Sequence, residues 1–248
     1  MFNGRVSTHN TERAVRARRM SISIIVPVLN EAMLVRKFLQ QLRGRASKAE
    51  IIVVDGGSSD GTADLASGLC DRIVHSERGR AVQMNAGARA AHGDTFWFVH
   101  VDAEVPPQCL EGIEHALDDP RVAGGFFRIR LPKSQLVYRL TDDFAHYAGL
   151  ALGVRCGDHG FFCRRNVFEA VGGFPDVPLM EDVDFFRKLR RTGKIIAMPH
   201  RMVVSPRSFE SMGPFRLTFF FGVIWLFYFL GAPRSWLQAI YRRACCRS

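Results

Sequence analysis

Four short stretches of the chain place acids, an amide and an imidazole where a folded sheet could present them. Asn30-Glu31 follows the apolar run 21–28, Asp55 ends the run Glu50–Asp55, and His100 and Asp102 flank Val101 at the end of 95–101. Glu181-Asp182 opens a later amphipathic stretch. The first three runs are short, buried in character and rich in β-branched or aromatic residues, so each reads as a strand. In an open parallel sheet, ligands bind beyond the carboxyl ends of the strands. Polar groups converging on that edge make a site rather than a core. Asp55 alone would suit the ribose of a dinucleotide. The turn Val28-Leu29-Asn30-Glu31 has no glycine, however, so no backbone can approach a pyrophosphate there, and a Rossmann dinucleotide site is excluded.

The elements that must position these groups alternate. Asn30 is expected to cap a helix whose apolar positions include Leu34, Phe38 and Leu42. The cluster Gly56-Gly57-Ser58-Ser59-Asp60-Gly61 is a loop, with Asp60 placed to cap the next short helix. A brief strand at Arg72–His75, an Ala-rich helix at 80–92 and a strand over 95–101 follow. Strands alternating with helices imply an α/β fold: a single domain with a mostly parallel sheet and helices on both faces. Beyond residue 120 the spacing predicts a strand at Val122–Arg130, a helix at 135–152 and a helix over 181–192. That last helix has acids in its first turn and bases in its last, as the helix dipole favours.

Taken in order, the blocks resemble a known family. Val26-Pro27-Val28-Leu29-Asn30-Glu31, then Val53-Val54-Asp55-Gly56-Gly57-Ser58-Ser59-Asp60-Gly61-Thr62, are similar to the start of family 2 glycosyltransferases. The likeness continues through residues 79–87 (GRAVQMNAG), His100-Val101-Asp102 and Met180-Glu181-Asp182-Val183-Asp184. It is most similar to a small bacterial branch with His-x-Asp in place of Asp-x-Asp, tied by name to arsenosugar-type biosynthesis. The resemblance implies a nucleotide-diphospho-sugar transferase domain that transfers sugar from a UDP-sugar with inversion. Pro27, Asn30, Glu31, Asp55, Gly57, Ser58 and Arg80 would then line the nucleotide site, with Asp55 accepting from the uracil imide and Arg80 near the diphosphate. Asp102, with His100, would hold Mg²⁺ or Mn²⁺, and Glu104 could assist through water. Asp182 would be the general base. Glu181, Asp158 and His159 would face the acceptor, and Arg207 the diphosphate. The branch's His100 lowers the negative charge of the metal site. The family's late Gln-x-x-Arg-Trp block is missing, and Arg207 is its nearest substitute. A sugar-nucleotide nucleotidyltransferase and a non-catalytic nucleotide-sugar-binding protein remain alternatives. The first would normally show a glycine-rich basic loop after the first strand. The second would be expected to have lost Asp102 or Asp182.

Charge narrows the partners. The net charge of +10 is carried at the ends: residues 1–20 hold five Arg against one Glu, and residues 211–248 five Arg and no acid. Residues 21–210 are nearly balanced, with 24 basic and 23 acidic groups. A groove tracking nucleic acid would need its bases on the body. Basic ends beside the uncharged stretch 217–232 fit an anionic membrane surface instead. At 16 residues that stretch is shorter than the roughly 20 needed to span a bilayer. It is expected to lie at the interface, with Trp225 and Tyr228 at the headgroup boundary, or to pack on the enzyme. The expected organisation is a basic, disordered tail at 1–20, the catalytic domain at 21–210 and an apolar, basic segment at 211–248. Met20 is an alternative start. No apolar stretch in the first 20 residues reads as a secretory signal, and none of the six Cys falls in a Cys-x-x-Cys pair. Cys70 and Cys109 are expected to be buried free thiols. Together these features point to a cytoplasmic enzyme, peripheral to the inner membrane face. Its acceptor is unassigned, with lipid-linked acceptors the candidates at such a surface.

Overall fold

The computed structural model describes residues 20–130, 153, 155, 159–204 and 213–245. The expected helix at 135–152, Asp158 and Arg207 lie outside the described residues. The described elements are β1 (Ile22–Val28), α1 (Ala32–Arg45), β2 (Glu50–Asp55), α2 (Thr62–Ala66), β3 (Arg72–His75), α3 (Arg80–Ala90), β4 (Thr95–Phe98) and β5 (Ala103–Glu104). They continue with α4 (Cys109–Leu117), β6 (Val122–Arg130), β7 (Phe162–Arg164), α5 (Arg165–Ala170), α6 (Glu181–Leu189), β8 (Lys194–Val204), α7 (Pro214–Phe229) and α8 (Arg234–Cys245).

The strands form one sheet in the order β3-β2-β1-β4-β7-β6-β8-β5. β3, β2, β1 and β4 are mutually parallel, and β6 runs parallel to β8. β7 is antiparallel to both β4 and β6, and β5 to β8. Successive side chains of a strand take opposite faces. Ile22, Ile24, Val26 and Val28 of β1 therefore pack with Val35, Phe38, Leu39 and Leu42 of α1 on one face. Ile25, Ile52 and Val54 pack with Ala81, Met84 and Ala88 of α3 on the other. α3 lies very close to the sheet. A Cβ at Gly87 would stand 2.5 Å from Ile25 Cγ2 and 2.8 Å from Val54 Cγ2.

Two departures from the sequence reading shape the site. The fourth strand stops at Phe98 instead of running to Val101. β1 uses its odd-numbered residues toward β4: Thr95 N donates to Ser21 O and Val99 N to Ile25 O. The next donor in that row is Pro27, which has no N–H, so the ladder ends. The chain then turns, with Ala103 N bonded to His100 O at 3.2 Å. His100 and Asp102 therefore sit on a turn between β4 and β5. The second departure is at Asn30. The residue preceding α1 is Glu31, which makes no side-chain cap, and Asn30 stands outside the helix with φ of 54°.

Candidate active site

Asn30 stitches the loop after β1 to the loop after β2. Its Oδ1 accepts from Ser59 N at 2.9 Å, and its N donates to Ser58 Oγ at 2.9 Å. Ser58 Oγ in turn donates to Asp55 Oδ1 at 2.5 Å. Glu31 N donates to Thr62 Oγ1 at 2.8 Å, and Ala32 N to Asp60 Oδ2 at 3.0 Å. Asp60 also accepts from Thr62 N, but the residue preceding α2 is Gly61 and no side chain caps that helix, so Asp60 braces the two loops from outside α2. The Thr62 hydroxyl, followed by the Ala32 N–H, holds the Asp60 carboxyl below the usual carboxylate range. Asp55 is 3% exposed, and His75 Nδ1 lies 3.6 Å from its Oδ2. An ionised carboxylate offers about four lone-pair positions, so Asp55 keeps capacity for a ligand donor beyond Ser58. Pro27 is buried in β1 beside Asp55's strand, and Gly57 (φ 87°) is exposed at the turn next to Ser58.

Gln83, which the sequence reading passed over within its motif block, closes this edge from below. It is 4% exposed, and its Nε2 donates to Val28 O at 2.8 Å and Val54 O at 2.9 Å, tying the ends of β1 and β2 together. A Cβ at Gly56 would meet Gln83 Cδ at 2.9 Å, so the glycine leaves room for that amide. A lone Gln in an Ala-rich helix carries no sequence signal for this role. Arg80 is exposed at the first position of the same helix, one turn before Gln83.

The end of β4, from which the His100–Asp102 turn departs, also receives α6. Phe98 packs on Phe185 with centroids 6.3 Å apart, and Phe174 stacks on Phe185 at 4.1 Å. Glu181 and Asp182, at 6% and 8% exposed, occupy the first turn of α6, and Asp182 Oδ1 accepts from Val183 N at 2.7 Å. Helix N-termini favour such charge. His159 is buried edge-on to Phe126 at 5.8 Å. Arg155, unremarked in the sequence, is 2% exposed with its guanidinium 4.8 Å from the same ring. His100 is half-buried and Asp102 exposed. Among the described residues no three His, Cys, Asp or Glu side chains gather as a metal cage. The one carboxylate of Asp102 is a hard oxygen donor of the kind Mg²⁺ and Mn²⁺ take, whereas the imidazole of His100 suits Mn²⁺ better than Mg²⁺. Cys109 and Cys163 are buried and Cys70 half-buried, and burial pushes the Cys109 thiol up to about 11.

The C-terminal helices meet α6 directly. Tyr228 is 8% exposed and Trp225 half-buried against the same cluster, so Tyr228 packs on the enzyme, the second of the two placements expected for this segment. The exposed apolar side chains of the described part of these helices include Phe219, Phe221, Leu226, Phe227, Phe229, Leu230 and Trp236. Among the described residues no helix is long and apolar enough to cross a membrane.

A mixed, mostly parallel α/β sheet with Asp55 at a strand end and a buried Glu-Asp at a helix start has the GT-A-like architecture of nucleotide-sugar transferases. Residues 23–172, more than half of the chain, match the family model for glycosyl transferase family 2, and the chain belongs to that family. It is 25% identical over 198 residues to glycosyltransferase AglE of Haloferax volcanii, covering 73% of this chain and 65% of that protein, under two thirds of its length. The mannosyltransferase PcManGT of Pyrobaculum calidifontis, solved with GDP-Man and Mn²⁺, superposes with a TM-score of 0.67 at 23% identity, over 92% of this chain and 70% of that one. Glucosyl-3-phosphoglycerate synthase of Mycobacterium tuberculosis, solved with Mn²⁺, UDP and glucosyl-3-phosphoglycerate, gives a TM-score of 0.58 at 17% identity, over 94% and 88%. At these identities the likeness to the two structures is one of fold.

Proposed function

We propose that this family 2 enzyme transfers a sugar from a UDP-sugar, with inversion, to a hydroxyl acceptor met at a lipid surface. The observation that carries the reading is the stitched pair of loops. It holds Asn30, Asp55 and Ser58 on the strand edge that the His100–Asp102 turn shares. Asp55 accepts a hydrogen bond from the uracil imide N–H, with Pro27, Glu31, Gly57 and Ser58 around the nucleoside. Arg80 offers directed donors and charge to the diphosphate. Asp102 and His100 would hold Mg²⁺ or Mn²⁺, which supplies countercharge for the departing β-phosphate. Asp182 takes the proton of the acceptor hydroxyl as its oxygen bonds to the anomeric carbon and the bond to the diphosphate oxygen breaks. A single displacement of that kind inverts the anomeric centre. Glu181, His159 and Asp158 serve the acceptor side, and Arg207 the diphosphate side. The His100-x-Asp102 spelling keeps the chain in the small branch that the sequence suggests, with a catalytic unit at 21–210.

The lipid surface is proposed from the outer face of α7 and α8. Phe219, Leu226 and Trp236 are 68%, 58% and 66% exposed, and Arg216, Arg242 and Arg243 are exposed on the same two helices. Residues 211–248 contain no acid, which matches an anionic leaflet such as the inner face of a cell membrane. The test of the donor is a panel of UDP- and GDP-sugars read by nucleotide release with and without Mn²⁺. Mn²⁺-stimulated release of UDP is the expected result. Release from GDP-sugars alone would overturn the donor assignment.

A further inference from the structure

Among the described residues only two non-glycine residues adopt left-handed φ: Asn30 at 54° and Met180 at 67°. Such backbone is unfavourable for a residue with a Cβ and persists where its surroundings over-determine it, often at functional sites. Asn30 belongs to the nucleotide edge. Met180 stands immediately before Glu181-Asp182, and what fixes it is the C-terminal helical pair. Met180 and Val183 share one buried cluster with Ile224 and Tyr228 of α7 and Leu237 of α8. On the far side of Asp182 the same pair grips Asp184. Tyr228 Oη donates to Asp184 Oδ1 at 2.6 Å, and Arg234 Nη2 donates to Asp184 Oδ2 at 2.6 Å. Arg234 also lies 4.4 Å over the Tyr228 ring, and Arg187 Nη1 donates to Tyr228 Oη at 3.1 Å.

Glu181-Asp182 is therefore bracketed by contacts to α7 and α8, at Met180 before it and at Val183 and Asp184 after it. Further along α6, Arg187 also reaches Tyr228, while the apolar side chains turn to the sheet. Phe185, Phe186 and Leu189 belong to the sheet core. A first-turn acid would ordinarily serve the helix dipole. Both carboxylate oxygens of Asp184 are also spent on the C-terminal pair, in short hydrogen bonds of the strong ionised class. We infer that α7 and α8 form a clamp that sets the position of the Asp182 carboxylate, with Tyr228 and Arg234 as its positioning residues acting through Asp184. The inference rests on the reading of Asp182 as the general base.

The experiment uses the full chain. Tyr228→Phe keeps the ring in its cluster and removes the hydroxyl, and Arg234→Gln removes the cation. The expected result has three parts. UDP affinity in Mn²⁺, by titration calorimetry, stays at the wild-type value. Turnover of a UDP-sugar falls about 10- to 100-fold, the scale of a small misplacement of a reacting group. Amide hydrogen exchange quickens in the peptide spanning 180–189 and not in 22–28. Arg234→Lys restores most of the loss. Unchanged exchange at 180–189 in both variants would overturn the clamp, as would exchange that quickens equally throughout the chain. If the wild-type chain turns over no nucleotide sugar, the enzymatic reading fails, while the exchange measurement still decides whether the clamp exists.

Discussion

The hydroxyl of Thr62 accepts from Glu31 N and donates to Asp60 Oδ1 at 2.5 Å, in a residue with no exposed surface. Thr62→Val keeps the shape and strands the Glu31 N–H. Urea unfolding should show a loss of about 1 kcal/mol, the net worth of a typical hydrogen bond at a part-buried donor, and UDP should bind more weakly as the two loops part. Asp102 makes the opposite case. It is exposed on a turn, so Asp102→Ala should leave the melting temperature unchanged while abolishing Mn²⁺-stimulated UDP release. Wild-type turnover with unaltered Mn²⁺ dependence would remove Asp102 from the metal site. Both residues stand in blocks that the sequence reading singled out, yet their roles differ in visibility. An acid after a strand is readable from residue type, whereas the partners of Thr62 lie 31 residues before it and 2 before it and emerge only on folding.

At the scale of elements, the strands β1 and β2 were legible because buried β-branched runs bounded by turn residues leave few alternatives, and β3 and β6 were legible from their place in the strand–helix alternation. The end of β4 was not legible, because what terminates it is the missing N–H of Pro27 on a neighbouring strand. β8 went unread for a related reason. Pro199 argues against a strand, and the ladder accommodates it by shifting register: Phe127 pairs with Met198 and Arg128 with Arg201. β7, three residues long, is too short to carry a pattern. The Ala-rich composition of α3 did announce a helix, though not how near it lies to the sheet. Gly87→Ala should therefore destabilise by about 1–3 kcal/mol, as overpacking does, despite the better helix propensity of alanine. A raised melting temperature would show that Ile25 and Val54 can yield.

For the whole molecule, charge and apolar surface agree. The catalytic body is near neutral, and the base-rich C-terminal helices show one face to α6 and another, aromatic, to solvent. A triple substitution Phe219→Ser, Leu226→Ser and Trp236→Ser should abolish flotation of the full chain with anionic vesicles while UDP-sugar turnover in solution persists. Equal flotation of both proteins would remove the lipid surface from the account. The central claim, transfer of a sugar with Asp182 as base, is a property of donor edge, acceptor side and α6 together. Asp182→Asn tests it most directly, because the amide keeps the shape and removes the basicity. The account predicts UDP affinity at the wild-type value and transfer to a hydroxyl acceptor slowed at least ~100-fold, the usual scale of general-base loss. Transfer to that acceptor at close to the wild-type rate would contradict it.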